Sequence, residues 1–242
     1  MSAPGVIEYE PGDQTVIADG SMPLAALQET LAAHGQRLSL DPPGAPTLAQ
    51  CLLEDLSGPL RHRFGTIRDL VLGVTVVLRD GTRASSGGKV VKNVAGYDLG
   101  KLFCGSRGRL GTVERVALRL HPLPAAARTA VIDGSRWAWL HRSQVVPSAV
   151  DLVSGELHVL IEGSERSVAA ALRELGGEER DDWAAIRELQ GRLAGRRRWD
   201  GDGSQAPLVR PGPAVAYVEG APPAERWSPL AERVVEAMWT PT

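Results

Sequence analysis

Residues 87–111, GGKVVKNVAGYDLGKLFCGSRGRLG, gather the side chains best suited to chemistry in this 242-residue chain. All three of its lysines, Lys89, Lys92 and Lys101, fall here, although arginine is used freely elsewhere. An ammonium kept where arginine is otherwise preferred points to a compact charge rather than a planar fork. Seven glycines in the same stretch imply backbone brought close to a ligand or to another strand. Asn93, Tyr97 and Asp98 add hydrogen-bonding groups, and their plainer role is to cap and anchor a following helix. Gly105, Gly108 and Gly111 superficially suggest a dinucleotide fingerprint. Their G-x-x-G-x-x-G spacing and their position after a helix and before a strand exclude it. That fingerprint needs a strand, then glycines, then a helix N-terminus aimed at the pyrophosphate.

Other reactive residues are thinly spread. Cys51 and Cys104 lie far apart in apolar surroundings, which predicts free thiols in a reducing cytosol rather than a disulfide, a metal site or a cluster. The histidines at 34, 62, 121, 141 and 158 have no carboxylate partner suggested by spacing, so none is assigned as a base. A net charge of -2 gives no global field for nucleic acid or an anionic membrane. No apolar run reaches the length of a membrane span, and the start, MSAPGVIEYE, has neither the basic nor the apolar region of a secretory leader.

The elements that must position these residues follow from periodicity and turn chemistry. Residues 5–20 predict two strands around Pro11-Gly12-Asp13. Ser21 is placed to cap a helix carrying Leu24, Leu27 and Leu31, which Gly35 ends. A short strand over 37–40 runs into Asp41-Pro42-Pro43-Gly44, and a helix over 47–56 stops at Ser57-Gly58-Pro59. Alternation over 70–78 and Asp80-Gly81 predict a hairpin, and Val116, Leu118 and Leu120 predict a strand. Pro122 and Pro124 mark a boundary near residue 125. Beyond it, a β-α-β-β-α order turns at Ser154-Gly155. Its helix faces are Val168, Ala171, Leu172 and Leu175, then Ile186, Leu189 and Leu193, an order like a ferredoxin-like half-domain. Residues 195–213, with Arg196-Arg197-Arg198, read as a solvated loop, 214–218 as a strand, and 229–238 as a last helix.

Lys92-Asn93-Val94-Ala95-Gly96-Tyr97-Asp98-Leu99, followed by Leu102, Gly105-Ser106, Gly108 and Leu110-Gly111-Thr112-Val113, resembles the flavin-binding region of the vanillyl-alcohol-oxidase/PCMH flavoproteins. Within that family it is most similar to the E-type, FAD-binding subunit of bacterial glycolate oxidase. The likeness runs upstream through Tyr9-Glu10-Pro11, Asp41-Pro42-Pro43, Leu56-Ser57-Gly58-Pro59 and Arg63-Phe64-Gly65, and so covers residues 5–124 in order. Past residue 125 it is architectural. The resemblance implies an α+β chain, with a PCMH-type FAD-binding domain over 1–124 and a ferredoxin-like cap with a C-terminal helix over 125–242.

It further implies FAD, held non-covalently, with backbone at the glycines bonding phosphate and ring oxygens. By resemblance Gly105, Ser106, Gly108, Gly111, Thr112 and Val113 line the cofactor, Pro42, Ser57 and Gly58 approach from neighbouring loops, and Lys92 and Tyr97 add a charge and a ring edge. The implied partners are a D-type catalytic flavoprotein subunit and an iron–sulfur subunit, in a cytoplasmic complex at the inner face of the membrane. Two departures oppose tight binding. The family's subdomain with an Arg-Gly-Gly-Gly loop would precede the first residues read here. Ala49 and Gln50 also stand where the family has two glycines. Each charge-assisted hydrogen bond lost costs on the order of 1.5–3 kcal/mol, which predicts a weakened hold on the flavin. Two readings follow: an FAD-binding oxidoreductase subunit acting on CH–OH groups without a complete base of its own, or a non-flavin paralogue that scaffolds the same kind of complex.

Overall fold

A computed structural model describes residues 5–87, 98–193, 195–199 and 206–219. The N-terminal unit runs β1 (Val6–Glu10), β2 (Thr15–Asp19), α1 (Leu24–Ala32), β3 (Gln36–Arg37), α2 (Leu48–Leu53), α3 (Arg61–Phe64), α4 (Ile67–Leu70), β4 (Val71–Leu78), β5 (Arg83–Gly87), α5 (Leu99–Phe103), β6 (Gly111–Arg119) and β7 (His121–Pro122). Its main sheet has the order β1-β2-β6-β4-β5, all antiparallel where paired, and β3 pairs with β7 apart from it. One apolar cluster fills this unit, with Leu27 and Leu31 of α1, Leu48 and Leu52 of α2, and Val116 and Leu118 of β6 all buried. At roughly 1.5–3 kcal/mol for each fully buried aliphatic side chain, this cluster holds α1 and α2 on the sheet.

The C-terminal unit runs β8 (Ala126–Asp133), α6 (Trp137–Leu140), β9 (Ala149–Val153), β10 (Glu156–Gly163), α7 (Glu165–Leu175), β11 (Glu178–Glu179), α8 (Trp183–Arg192), β12 (Gly195–Arg198), β13 (Leu208–Arg210) and β14 (Val215–Val218). Its sheet has the order β11-β8-β10-β9-β13-β14-β12. The stretch β8-α6-β9-β10-α7-β11 therefore has the ferredoxin-like strand order, with α6 and α7 sharing one apolar cluster with Ile132, Leu157 and Val159. Trp183 and Ile186 of α8 pack with Ala149, Leu208 and Tyr217 in a separate cluster. Adjacent side chains of a strand point to opposite faces, so α8 covers the other side of the same sheet.

Local chemistry sets most element ends. Asp80-Gly81 turns β4 into β5, with Gly81 at φ +87 and the Asp80 carboxylate accepting from the Thr82 N–H. Ser154 and Gly155 both take positive φ between β9 and β10, as a type I′ hairpin requires. Asp98 caps α5 by accepting from the Lys101 N–H at 3.1 Å. Three expectations are corrected. Ser21 does not cap α1, because its hydroxyl donates to Asp19 and Pro23 holds the cap position. The strand at 37–40 shrinks to Gln36–Arg37. Gly195–Arg198, read as loop, is a strand paired with β14. The last helix expected over 229–238 lies outside the described residues.

Candidate functional site

A cleft of about 640 Å³ opens between the two units. Pro43, Gln50, Ser57 and Gly108 line it from the N-terminal side, and Gln190, Arg196 and Tyr217 from the C-terminal side. Its volume is that of an ordinary small-molecule or cofactor site. Arg107, Arg196, Glu54 and Asp55 are all in its lining, so it carries both signs of charge.

The N-terminal wall is built from α2 and the turn 105–111. At the start of α2 the Leu48 N–H donates to the Met22 carbonyl at 3.0 Å and the Ala49 N–H to the Gly20 carbonyl at 2.8 Å. Thr47 and Gln50 close a capping box: the Gln50 N–H donates to Thr47 Oγ1 at 3.2 Å, and the Thr47 N–H donates to Gln50 Oε1 at 2.8 Å. The four amides of this first turn are thus bonded within the protein. The turn at 105–111 behaves alike. Gly105 and Arg107 donate to the Leu52 and Leu53 carbonyls, Ser106 to Phe103, Arg109 to Ser106 and Gly111 to Gly108. A diphosphate bound by backbone needs amides that point at it, and these point elsewhere. The amides so bonded are not offered to the diphosphate of FAD, and those of Gly108 and Leu110 are not among them.

The residues assigned from sequence separate into three groups. Ser57 and Gly108 line the cleft. Pro42, Gly58, Ser106, Gly111 and Val113 are buried, Gly105 is half-buried and Thr112 is exposed on β6. Lys92 and Tyr97 lie outside the described residues. Two of the glycines have a packing explanation. A Cβ on Gly58 would lie 1.8 Å from the Asp41 carbonyl oxygen, and one on Gly111 would lie 2.1 Å from that of Val77. Gly108, at φ +74, has open space beyond its Cα, where a Cβ would come no closer than 3.9 Å to the Gly111 carbonyl.

The C-terminal wall rests on buried charge. Arg210, fully buried, donates from Nε to Asp151 at 2.9 Å, from Nη1 to the Tyr217 hydroxyl at 2.7 Å, and from Nη2 to Gln190 Oε1 at 2.7 Å. Burial works against its charge, but Asp151, Tyr217 and Asp41 together outweigh burial, so the guanidinium pKa is raised. Gln190 then donates from Nε2 to the Ser57 carbonyl at 2.7 Å, across the unit boundary. Elsewhere along that boundary, Arg37 forms a two-pronged pair with Glu162 at 2.6 Å. Burial pushes the Glu162 carboxyl up, but Arg37, with Ser148 and Arg63, outweighs it and holds the carboxyl below the usual range. Asp41 faces Arg187 of α8 at 3.7 Å, and burial pushes its carboxyl up to about 7 against the pull of the Leu60 N–H.

None of the five histidines lines this cleft. His158 is buried against Asp182, with Nδ1 at 3.0 Å from its carboxylate. His62 and His121 have lowered pKa values, chiefly through burial. Sequence reasoning missed Gln190 and Tyr217. Gln190 carried a readable signal, since it sits four residues after Ile186 on the apolar stripe of α8.

Fold and sequence together define a class. Residues 1–87 match the family model described as an FAD binding domain, and the N-terminal unit is of the PCMH-type FAD-binding fold. The chain is also similar to alkyldihydroxyacetonephosphate synthase, with a TM-score of 0.59 and 17% identity over 70% of this chain and 41% of that one, a likeness of fold. Among individual proteins, it is similar to glycolate oxidase subunit GlcE of Escherichia coli K12, 33% identical over 201 residues, which are 77% of this chain and 56% of that subunit. It is also similar to the mitochondrial D-lactate dehydrogenase [cytochrome] 1 of Saccharomyces cerevisiae, 27% identical over 79% of this chain and 32% of that enzyme. The chain thus spans about half the length of the first relative and a third of the second. No helix among the described residues is long and apolar enough to cross a membrane.

Proposed function

We propose that the chain is an FAD-binding subunit of an oxidoreductase acting on 2-hydroxy acids of the glycolate or lactate kind. The likeness to glycolate oxidase subunit GlcE, together with the matched FAD binding domain, carries this reading. The cleft between the two units is the seat we assign to the cofactor; of the residues assigned from sequence, Ser57 and Gly108 line it, and Pro42, Gly58, Gly105, Ser106, Gly111, Thr112 and Val113 stand outside that lining. Lys92 and Tyr97, assigned to the same site from sequence, complete the set. FAD, when bound, supplies the hydride acceptor for oxidation of the CH–OH group. The chain's own part is to hold and orient, because its histidines lie away from the cleft and the usual proton acceptor is therefore not offered there. Substrate oxidation then falls to a partner, which we assign as a D-type flavoprotein subunit with an iron–sulfur subunit beside it. The hold on FAD is non-covalent and weaker than in a site with an amide cradle.

A second reading is favoured by one observation, the amides of the α2 first turn that are already bonded within the protein. On it the chain keeps the fold as a scaffold and binds no flavin. Absorbance of the purified chain between 350 and 500 nm (roughly the flavin range), with FAD released on denaturation, decides between them. Stoichiometric FAD removes the scaffold reading. A colourless protein that takes up no added FAD, yet co-purifies with a flavoprotein and an iron–sulfur protein, removes the first.

A further inference from the structure

The polar network behind Tyr217 has no obvious stabilising purpose. A buried Arg–Asp pair is often no better for stability than an apolar pair of the same volume, because desolvation offsets the attraction. Asp151 and Arg210 are both fully buried, with 0% side-chain exposure. Asp151 and Tyr217 account for part of the guanidinium, and its remaining bond goes to Gln190. That bond fixes the amide's orientation without ambiguity. A guanidinium only donates, so Gln190 must turn its oxygen to Arg210 and its NH₂ outward. The outward NH₂ meets the Ser57 carbonyl at 2.7 Å, at a residue lining the cleft.

The loop it meets is tied at both ends within the N-terminal unit: the Leu56 N–H donates to the Cys51 carbonyl at 2.9 Å, and the Arg61 and His62 N–H groups donate to the Gly58 and Pro59 carbonyls at 3.1 Å. Its Leu60 N–H donates to Asp41 Oδ1 at 3.0 Å, and Arg61 Nη1 lies 3.3 Å from Ser57 Oγ, while the Ser57 carbonyl itself is held by Gln190. Gly58 leaves no room for a Cβ against Asp41, so a small shift of this loop cannot be absorbed locally. Next to Gln190, Gly191 lets α8 come close to Pro43: a Cβ there would stand 3.2 Å from the proline ring.

We propose that Gln190 is a positioning residue that sets the Ser57-Gly58 wall of the cleft, and that the buried Arg210–Asp151 pair exists to hold Gln190 in the one orientation that does so. Through it the C-terminal unit controls the shape of a site built largely on the N-terminal unit. The consequence for flavin rests on the function proposed above, whereas the fixing of the loop does not.

Gln190→Glu in the full chain is the sharpest variant. It keeps an oxygen for Arg210 and faces the Ser57 carbonyl with a carboxylate in place of a donor. The reference variant is Thr129→Val, which removes the 2.7 Å bond from Trp183 Nε1 beneath the same helix and leaves the cleft lining intact. Hydrogen exchange of the amides at 58–65, measured without ligand, is expected to quicken about tenfold in Gln190→Glu and to stay at the wild-type rate in Thr129→Val. Titration with FAD, read by flavin fluorescence, is expected to give a Kd raised about tenfold in Gln190→Glu alone. Wild-type exchange rates in Gln190→Glu overturn the proposal, whatever the flavin result. Faster exchange with an unchanged Kd overturns the link from this wall to the cofactor. Faster exchange in a chain whose wild type takes up no FAD leaves the positioning role standing and removes the flavin reading instead.

Discussion

The two walls of the cleft are made by opposite means. On the N-terminal side, backbone amides are bonded locally: the first turn of α2 directs two to backbone carbonyls and two to the Thr47 and Gln50 side chains, and Gly105, Ser106, Arg107, Arg109 and Gly111 direct theirs to carbonyls of the same unit. On the C-terminal side, side chains do the work, and a fully buried Arg210 passes through Gln190 to the Ser57 carbonyl. A backbone-bonded wall is rigid, but it has few polar groups left to offer a ligand. A wall made of side chains on a buried charge has its polar ends tied to one another and to the Ser57 carbonyl, and its shape depends on that charge staying paired. The sequence likeness that points to the site sits mostly in the first wall, whereas the tie between the two units comes from the second.

Removing one member of the buried pair breaks the comparison most severely. Arg210→Ala strands Asp151 in the interior and is expected to cost about 3–5 kcal/mol in urea unfolding, whereas Arg210→Met with Asp151→Leu recovers most of it. If both variants lose the same amount, the charge is not what sustains the second wall. Glu162→Ala tests whether the walls are held in register from afar. It leaves the Arg37 guanidinium unpaired at the unit boundary, and a loss of about 2–3 kcal/mol is expected in the same measurement.

Asp41 joins the two walls through Arg187 and gives the comparison a pH dependence. Its carboxyl in the folded chain titrates near 7, above the ordinary value of an unfolded aspartate. The folded chain therefore binds this proton more tightly, and the stability it contributes is complete below about pH 4 and lost as pH rises through about 7. The side chain keeps 19% of its exposure, so solvent limits the effect to roughly 2 kcal/mol. Asp41→Asn is expected to flatten the pH profile of thermal unfolding over that window by this amount. An identical profile would mean that the joint carries no buried charge. The smallest effect falls on the first wall: Thr47→Ala removes half of the α2 capping box and is expected to lower stability by about 1 kcal/mol. It should leave Gln190 and the Ser57 loop at wild-type exchange rates, as befits a wall that is fixed in many places.

Much of this arrangement was legible in the residues. Asp80-Gly81 and Ser154-Gly155 placed both hairpins, because only a few residue pairs accept the backbone angles that such turns need. The motif order of the N-terminal unit pointed to its PCMH-type fold. Gly195–Arg198 was misread because three successive arginines look solvated, while an outer strand can carry charge without losing its ladder. The glycines were harder. Sequence established that backbone comes close to something at 58 and 111 but could not say to what, and in both cases a neighbouring carbonyl oxygen is sufficient reason. Gln190 was visible as a polar residue in an apolar stripe, but its two partners lie 20 residues later and 133 residues earlier, and no local pattern joins them.

The strand order of the N-terminal sheet also bears on how the chain acquires its fold. β1 with β2, and β4 with β5, are neighbours in sequence and close early, at little entropic cost. β6 lies between the two hairpins and joins them, with Thr15 opposite Arg119 on one side and Val77 opposite Thr112 on the other. Such distant pairing is slow to form. During synthesis the two hairpins must wait, with the β2 and β4 edges still unpaired, until residue 119 has left the ribosome. The strand that follows the glycine-rich stretch is thus the last of the main sheet to arrive and the one that makes that sheet whole.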